Sequence, residues 1–383
     1  MSHQVGIPKR AAVAIGDMLD NCAKLKPGDE VLILANIDGL YGSPNLCDEQ
    51  AVNWIQTLAQ AKGANASILW IDEPSEIHKW RIPPMVRGAM RGADVMINFS
   101  MELVTEEIAE FRNYIEECKV RMVRNMAVTS SLLCTDWALT PHELVSEIRY
   151  HSSRPFTHLA PFVLTDENGT HLEGKVLDPV QRAGIPGMPY NSRRHAASHY
   201  LPWPEWVHPP VNLQDVNGEY VFSAMLSWWT RYIGVPPTWT NPIHMTVKDS
   251  RITAIKGGVE AEALSRFLKM MAEKAGPGMY KFDTIHFGIH PNAAVTDEQC
   301  PNALHKRIID HSHSCNIHAH IGSAPSSAQY AYYPHITGDI RKATWKVGNN
   351  LVYDKGYLMV LDDPAVKAMA AKYPGRPGIP PRV

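Results

Sequence analysis

Apolar residues recur at helical spacing in "AAVAIGDMLDNCAKL", and "KPGD" then breaks the pattern. The continuous apolar run "EVLILAN" follows, as expected of a strand buried on both faces. "EQAVNWIQTLAQAKGA" is amphipathic at helical period and stops at a glycine, and "NASILWID" reads as the next strand. "PPMVRGAMRGA" predicts a short helix and "DVMINFS" another buried strand. Strands alternating with helices predict a parallel, doubly wound sheet, a Rossmann-like α/β domain over residues 1–150. No GxGxxG follows its first strand, which argues against nucleotide binding. In such sheets the loops at the carboxyl ends of strands do the binding. "NIDGLYGSP" is one of these, either a cleft wall carrying Asp38 and Tyr41 or a plain Gly-rich turn.

After "VSEIRYHSSRPF" the texture changes, and residues 151–383 predict a second, mixed and strand-rich domain. "FVLTDENGTHLEGKV" reads as two strands around an Asn-Gly turn. The stretch "GIPGMPYNSRRHAASHYLPWPEWVHPPVN" is too rich in proline for a long helix, and its aromatic content argues against disorder. "IHMTVKDSRITAIKGG" predicts a strand pair, and "VEAEALSRFLKMMAEK" a strong amphipathic helix. From "DTIHFGIHPNAAV" onward the pattern predicts strand and loop, with an extended tail "YPGRPGIPPRV".

Charge and composition narrow the function classes. A chain of 383 residues is long enough for two domains, each with its own apolar core. Its 37 basic and 39 acidic residues carry no long basic run, so neither nucleic acid nor an anionic membrane is an expected partner. No eighteen apolar residues follow one another, and the N-terminus lacks the apolar core of a signal peptide. The six cysteines are scattered without a CxxC pair, which suits a reducing cytoplasm and offers no zinc-thiolate site.

Histidine placement adds candidate chemistry. "HSHSCNIHAHIG" puts four histidines into twelve positions. If "NIHAHIG" is extended, Asn316, His318 and His320 share one face, so two imidazoles are spaced to chelate a metal. The alternative is a polar face whose histidines bond to carbonyls or water. His311 and His313, among serines, read as loop. "HFGIH" carries His286 and His290 on a predicted strand, and "PHITGDIR" carries His335 and Asp339. Two imidazoles and a carboxylate suit Fe(II), Mn(II) or Zn(II), and as a facial triad they leave positions open for substrate and oxygen. Glu205 and His208 in "LPWPEWVHPP" form a possible acid/base pair. No GxSxG, HExxH or nucleophilic-cysteine signature appears, so metal-assisted chemistry is the best-supported enzymatic class.

Several of these segments resemble the M29 (aminopeptidase T/S) metallopeptidase family. "CAKLKPGDEVLILAN", "TLAQAKGANASILWID" and "MRGADVMINFS" are similar to its N-terminal domain, and "FVLTDENGTHLEG" to its strand with an Asn-Gly-Thr turn. "LPWPEWVHPP" looks like its Leu-Pro-x-Gly-Glu motif, with Pro204 replacing the glycine. "HAHIG" matches its His-x-x-x-Gly strand at His318 and Gly322. "HFGIHPNA" looks like its Glu-x-Gly-x-Gly-x-Asn strand, with His286 where the peptidase has a bridging glutamate. A two-metal hydrolase needs such bridging carboxylates. Their loss resembles instead the branch of this fold formed by 2,5-dihydroxypyridine 5,6-dioxygenases, which open a hydroxylated pyridine ring with O2 at one Fe(II) held by two His and one Asp.

That resemblance implies one Fe(II) per chain, held by His286, His335 and Asp339, with His318 in reserve because "HITGD" departs from the family's His-x-Asp spacing. It implies a small heteroaromatic substrate and O2, and a homodimer or larger homo-oligomer. His199 and His208 are the expected bases, with Glu205 orienting one of them. Arg193 or Arg194 would neutralise a bound anion, and Trp203 and Trp206 would stack on the ring, alongside His290 and His320. A metallo-aminopeptidase and a non-catalytic binding protein on the same scaffold are the alternatives.

Overall fold

The computed structural model describes residues 6–37, 47–72, 82–99, 109–125, 128–177, 200–204, 207–208, 210–225, 230, 233–282, 284–322 and 336–382. A five-stranded parallel sheet is built from β1 (Glu30–Asn36), β2 (Asn65–Ile71), β3 (Val95–Asn98), β4 (Arg121–Arg124) and β7 (Tyr200–Pro202) in the order β2-β1-β3-β4-β7. The alternation of apolar runs and amphipathic segments is met as predicted. Helix Lys9–Asp17 continues into a π-turn at Met18–Cys22. Helix Glu49–Ala61 is capped by the Asp48 carboxylate, which accepts from the Ala51 N–H, so an orphan donor of its first turn is satisfied. Helix Pro84–Arg91 starts on a proline, where a missing N–H costs nothing.

The remaining strands form an eleven-stranded sheet whose pairings are antiparallel. They are β5 (Pro161–Thr165), β6 (His171–Val176), β8 (Val211–Ala224), β9 (Thr238–Lys248), β10 (Arg251–Lys256), β11 (Thr284–Phe287), β12 (Asn316–Ile321), β13 (Ile336–Arg341), β14 (Thr344–Val347), β15 (Asn350–Asp354) and β16 (Tyr357–Leu358). β9 and β10 turn through Asp249 and Ser250, both at positive φ, as a two-residue hairpin requires. β8 pairs β11 at its start, and Met225 just beyond its end bridges Gly338 of β13, so β8, β11, β12 and β13 curl around a common interior. The Tyr220 hydroxyl donates to the Gly338 carbonyl there. A Cβ on Gly338 would collide with that hydroxyl and lie 2.6 Å from the Phe222 ring, so only glycine lets β13 approach this closely.

Two features differ from the sequence reading. The C-terminal region is not strand and loop alone: "ALHKRIIDHS" forms helix Ala303–Ser312, and Pro364–Ala371 forms another. Polar and basic residues interleave with the apolar ones in the first of these, which blurs its amphipathic signal. The two halves also share structure, since β7 completes the first sheet from the second half of the chain. One hydrophobic cluster runs from Leu34 and Met96 on one face of the parallel sheet to Phe287 and Ile317 in the large sheet. A second cluster covers the other face, around Ile33, Ile97 and Val123. Among the described residues no helix is long and apolar enough to cross a membrane.

Candidate metal centre

The candidate site lies on β11, β12 and β13, which are hydrogen-bonded in that order. Their register sets His286 opposite His318 and His318 opposite Asp339; one row along, Thr284 faces His320 and His320 faces Thr337. Directly opposed residues of antiparallel strands project to the same side. One face therefore carries Thr284, His286, Asn316, His318, His320, Thr337 and Asp339, and the alternate residues carry the core. His286 and His318 are buried and His320 is partly so.

The three imidazoles converge: one ring nitrogen from each of His286, His318 and His320 lies within 4.8 Å of the others. The rings of His286 and His320 stack with centroids 4.1 Å apart. Three imidazole nitrogens suit a borderline divalent ion such as Fe(II) or Zn(II), and are the wrong donors for Mg2+ or Ca2+. Among the described residues no carboxylate joins this group, so it fits a single N-ligated ion better than a carboxylate-bridged pair.

Asp339 is adjacent and otherwise engaged. It is paired with the guanidinium of Arg307, which is almost wholly buried, and accepts from Asn316 Nδ2 at 3.1 Å. His311 Nδ1 lies 3.4 Å from its other oxygen, while the His311 ring packs on His318 with centroids 3.5 Å apart. Burial pushes the Arg307 guanidinium down to about 10, which still leaves it cationic at neutral pH. Arg307 and His311 come from helix Ala303–Ser312, where a spacing of four puts both on one face toward β12 and β13. The sequence reading missed Arg307 and took His311 for loop; the i, i+4 spacing in "RIIDH" was the available signal.

The other predicted residues are distributed as follows. His320, expected to meet substrate, stands with His286 and His318 in the group of three converging imidazoles. His208 is fully buried on the opposite face of β11: its ring stacks on Phe287 at 4.4 Å and its Nε2 pairs with the Ser153 hydroxyl at 2.8 Å. His290 is also fully buried, beside Trp137, and desolvation lowers it to about 3, so it is neutral at ordinary pH. Trp203 packs into the core against the parallel sheet. His335, His199, Arg193, Arg194, Glu205 and Trp206 lie outside the described residues, as do Asp38 and Tyr41.

No family model matches the chain, and no curated protein matches it. Solved structures do. The chain is similar to 2,5-dihydroxypyridine dioxygenase from Pseudomonas putida KT2440, with a TM-score of 0.63 and 14% identity over 92% of this chain and 98% of that one. It is similar to wild-type AmpT from Thermus thermophilus, with a TM-score of 0.53 and 12% identity over 91% of this chain and 99% of that one. Over nearly its whole length the chain therefore has the fold shared by this dioxygenase and AmpT.

Proposed function

We propose that the protein is an iron(II)-dependent dioxygenase that opens the ring of a hydroxypyridine or hydroxypyridone with O2. The observation that carries this reading is the convergence of His286, His318 and His320 on one buried face of a fold shared with a hydroxypyridine dioxygenase. When bound, iron(II) supplies the redox chemistry that O2 needs to react with an aromatic ring. The protein's part is to hold the ion through three neutral nitrogens, which leaves coordination positions open for exogenous ligands. This donor set brings no negative charge of its own, because the Asp339 carboxylate is offset by Arg307. A deprotonated ring hydroxyl is therefore the favoured partner. Among the described residues the hydroxyl of Thr337, opposite His320 and 1% exposed, has no hydrogen-bond partner, and it is offered to a polar substituent of the ring. Helix Ala303–Ser312 packs against this same face, at His318 through His311 and at Asp339 through Arg307.

The likeness to AmpT favours a second reading, a metallo-aminopeptidase. The experiment that separates the two is anaerobic loading with Fe(II), followed by an oxygen-electrode screen across hydroxypyridines. O2 uptake matched by loss of ring absorbance, with about one iron per chain, is expected. Peptide hydrolysis without O2 uptake, with two ions per chain, would overturn the dioxygenase reading.

A further inference from the structure

A fourth imidazole stands beside the three that converge. His311 comes from helix Ala303–Ser312, and its ring lies on the His318 ring with centroids 3.5 Å and planes 31° apart. Its Nδ1 faces Asp339 Oδ1 at 3.4 Å, and the same carboxylate is paired with Arg307, one helical turn earlier. Asn316 Nδ2 holds the other carboxylate oxygen at 3.1 Å. Arg307, His311, Asn316, His318 and Asp339 are each no more than 4% exposed. Register fixes the base of this group, since His318 opposes Asp339 across β12 and β13. The two therefore rise side by side from one face, and the helix lays Arg307 and His311 against them.

Charge is a costly way to join a helix to a sheet. Apolar side chains of similar volume often match or exceed a buried ion pair in stability. This helix already places Ile308 and Ile309 in the two hydrophobic clusters, so it has apolar anchors of its own. What the ion pair adds is orientation. A carboxylate paired with a guanidinium accepts and does not donate, so the edge that His311 turns to Asp339 is its Nδ1–H. Turning that ring over would bring carbon to the carboxylate and lose the attraction.

His318 needs the same control. Rotation by 180° about its Cβ–Cγ bond would put carbon where a ligand nitrogen stands, and a ring packed on its face at 3.5 Å resists that rotation. We propose that His311 is a positioning residue for the metal centre. Anchored through Asp339 to Arg307, it holds the His318 ring in the orientation that turns its nitrogen toward those of His286 and His320. The inference rests on His318 as a ligand in the proposed function, and not on the reaction carried out there.

The test uses the full chain and Co(II). Affinity is read by competition with a chelator, and the visible bands of bound Co(II) report the arrangement of its donors. His311→Ala is expected to bind Co(II) about 10–100-fold more weakly, the usual loss for an outer partner, with altered bands. His311→Asn, which keeps a donor toward Asp339 but not the ring, should bind no better. The paired variant Arg307→Met with Asp339→Leu removes the anchor and leaves no charge unpaired. It should lose affinity by a similar factor while its urea unfolding stays close to wild type, which separates positioning from stability. Adding His311→Ala to that pair should cost less than about twofold more, because both changes act through one ring. Co(II) affinity within about twofold of wild type in His311→Ala, rescue by His311→Asn, or full additivity would overturn the proposal. Absence of O2 uptake with every hydroxypyridine, beside the expected Co(II) results, would remove the dioxygenase reading alone.

Discussion

One face of β11, β12 and β13 carries Ile285, Phe287, Ile317, Ala319, Ile321, Ile336 and Ile340; the other carries Thr284, His286, Asn316, His318, His320, Thr337 and Asp339. Both are largely buried, yet they do opposite things to stability. Each aliphatic or aromatic side chain on the first face contributes about 1.5–3 kcal/mol by leaving water. The second face costs free energy wherever a polar atom lacks a partner. Arg307 and Asn316 offset that cost at Asp339. The difference teaches that the strands hold their register through one face and are free to spend the other on ligand geometry.

Four experiments break or sharpen this contrast. Arg307→Ala leaves the Asp339 carboxylate buried without its cation, and should destabilise the fold by about 3–5 kcal/mol in urea denaturation. The paired variant Arg307→Met with Asp339→Leu should recover most of that loss, since the charge goes with its partner. Ile317→Ala, on the apolar face, should cost about 3 kcal/mol by leaving a cavity, while metal affinity per folded molecule stays within about twofold. His320→Ala should reverse that profile. Metal affinity, read by competition with a chelator, should fall by more than the roughly 100-fold that loss of an outer partner costs, and the metal-free fold should barely move.

The smallest effect is the response to acid. Desolvation lowers His290 to about 3 and His305 to about 4, so both stay neutral in the fold while the unfolded chain takes up protons below about pH 6.5. Between those values the unfolded state binds more protons, so stability falls as pH falls; above about 6.5 it is flat with respect to these groups. Each should cost roughly 1 kcal/mol per pH unit in that window. A melting temperature that rises from pH 7 to pH 5.5 would remove buried neutral imidazoles from the account.

The parallel sheet was legible because strands buried on both faces leave unbroken apolar runs, as "EVLILAN" and "DVMINFS" do. β12 was legible at finer grain, since period-two alternation alone put His318 and His320 on one side. His286 was named as a ligand from its resemblance to the family's strand and not from periodicity, because register between β11 and β12 depends on pairing between segments far apart in sequence. The spacing from His335 to Asp339 suggested a chelate; register does set Asp339 beside His318, while His335 lies outside the described residues. That carboxylate is held by Arg307, from a helix whose mixed composition hid it.

The three imidazoles sit on two neighbouring strands joined by four consecutive residue pairs, Thr284–Phe287 against Ile317–His320, and on no loop. A β-ladder is a ruler, with its strands about 4.8 Å apart. The bite offered to an ion is therefore cut in advance by the backbone, and an incoming ion has little chain to freeze. Ions of different radius should consequently be sorted by enthalpy, with little compensating entropy of ordering, as they are exchanged one for another in the same cradle.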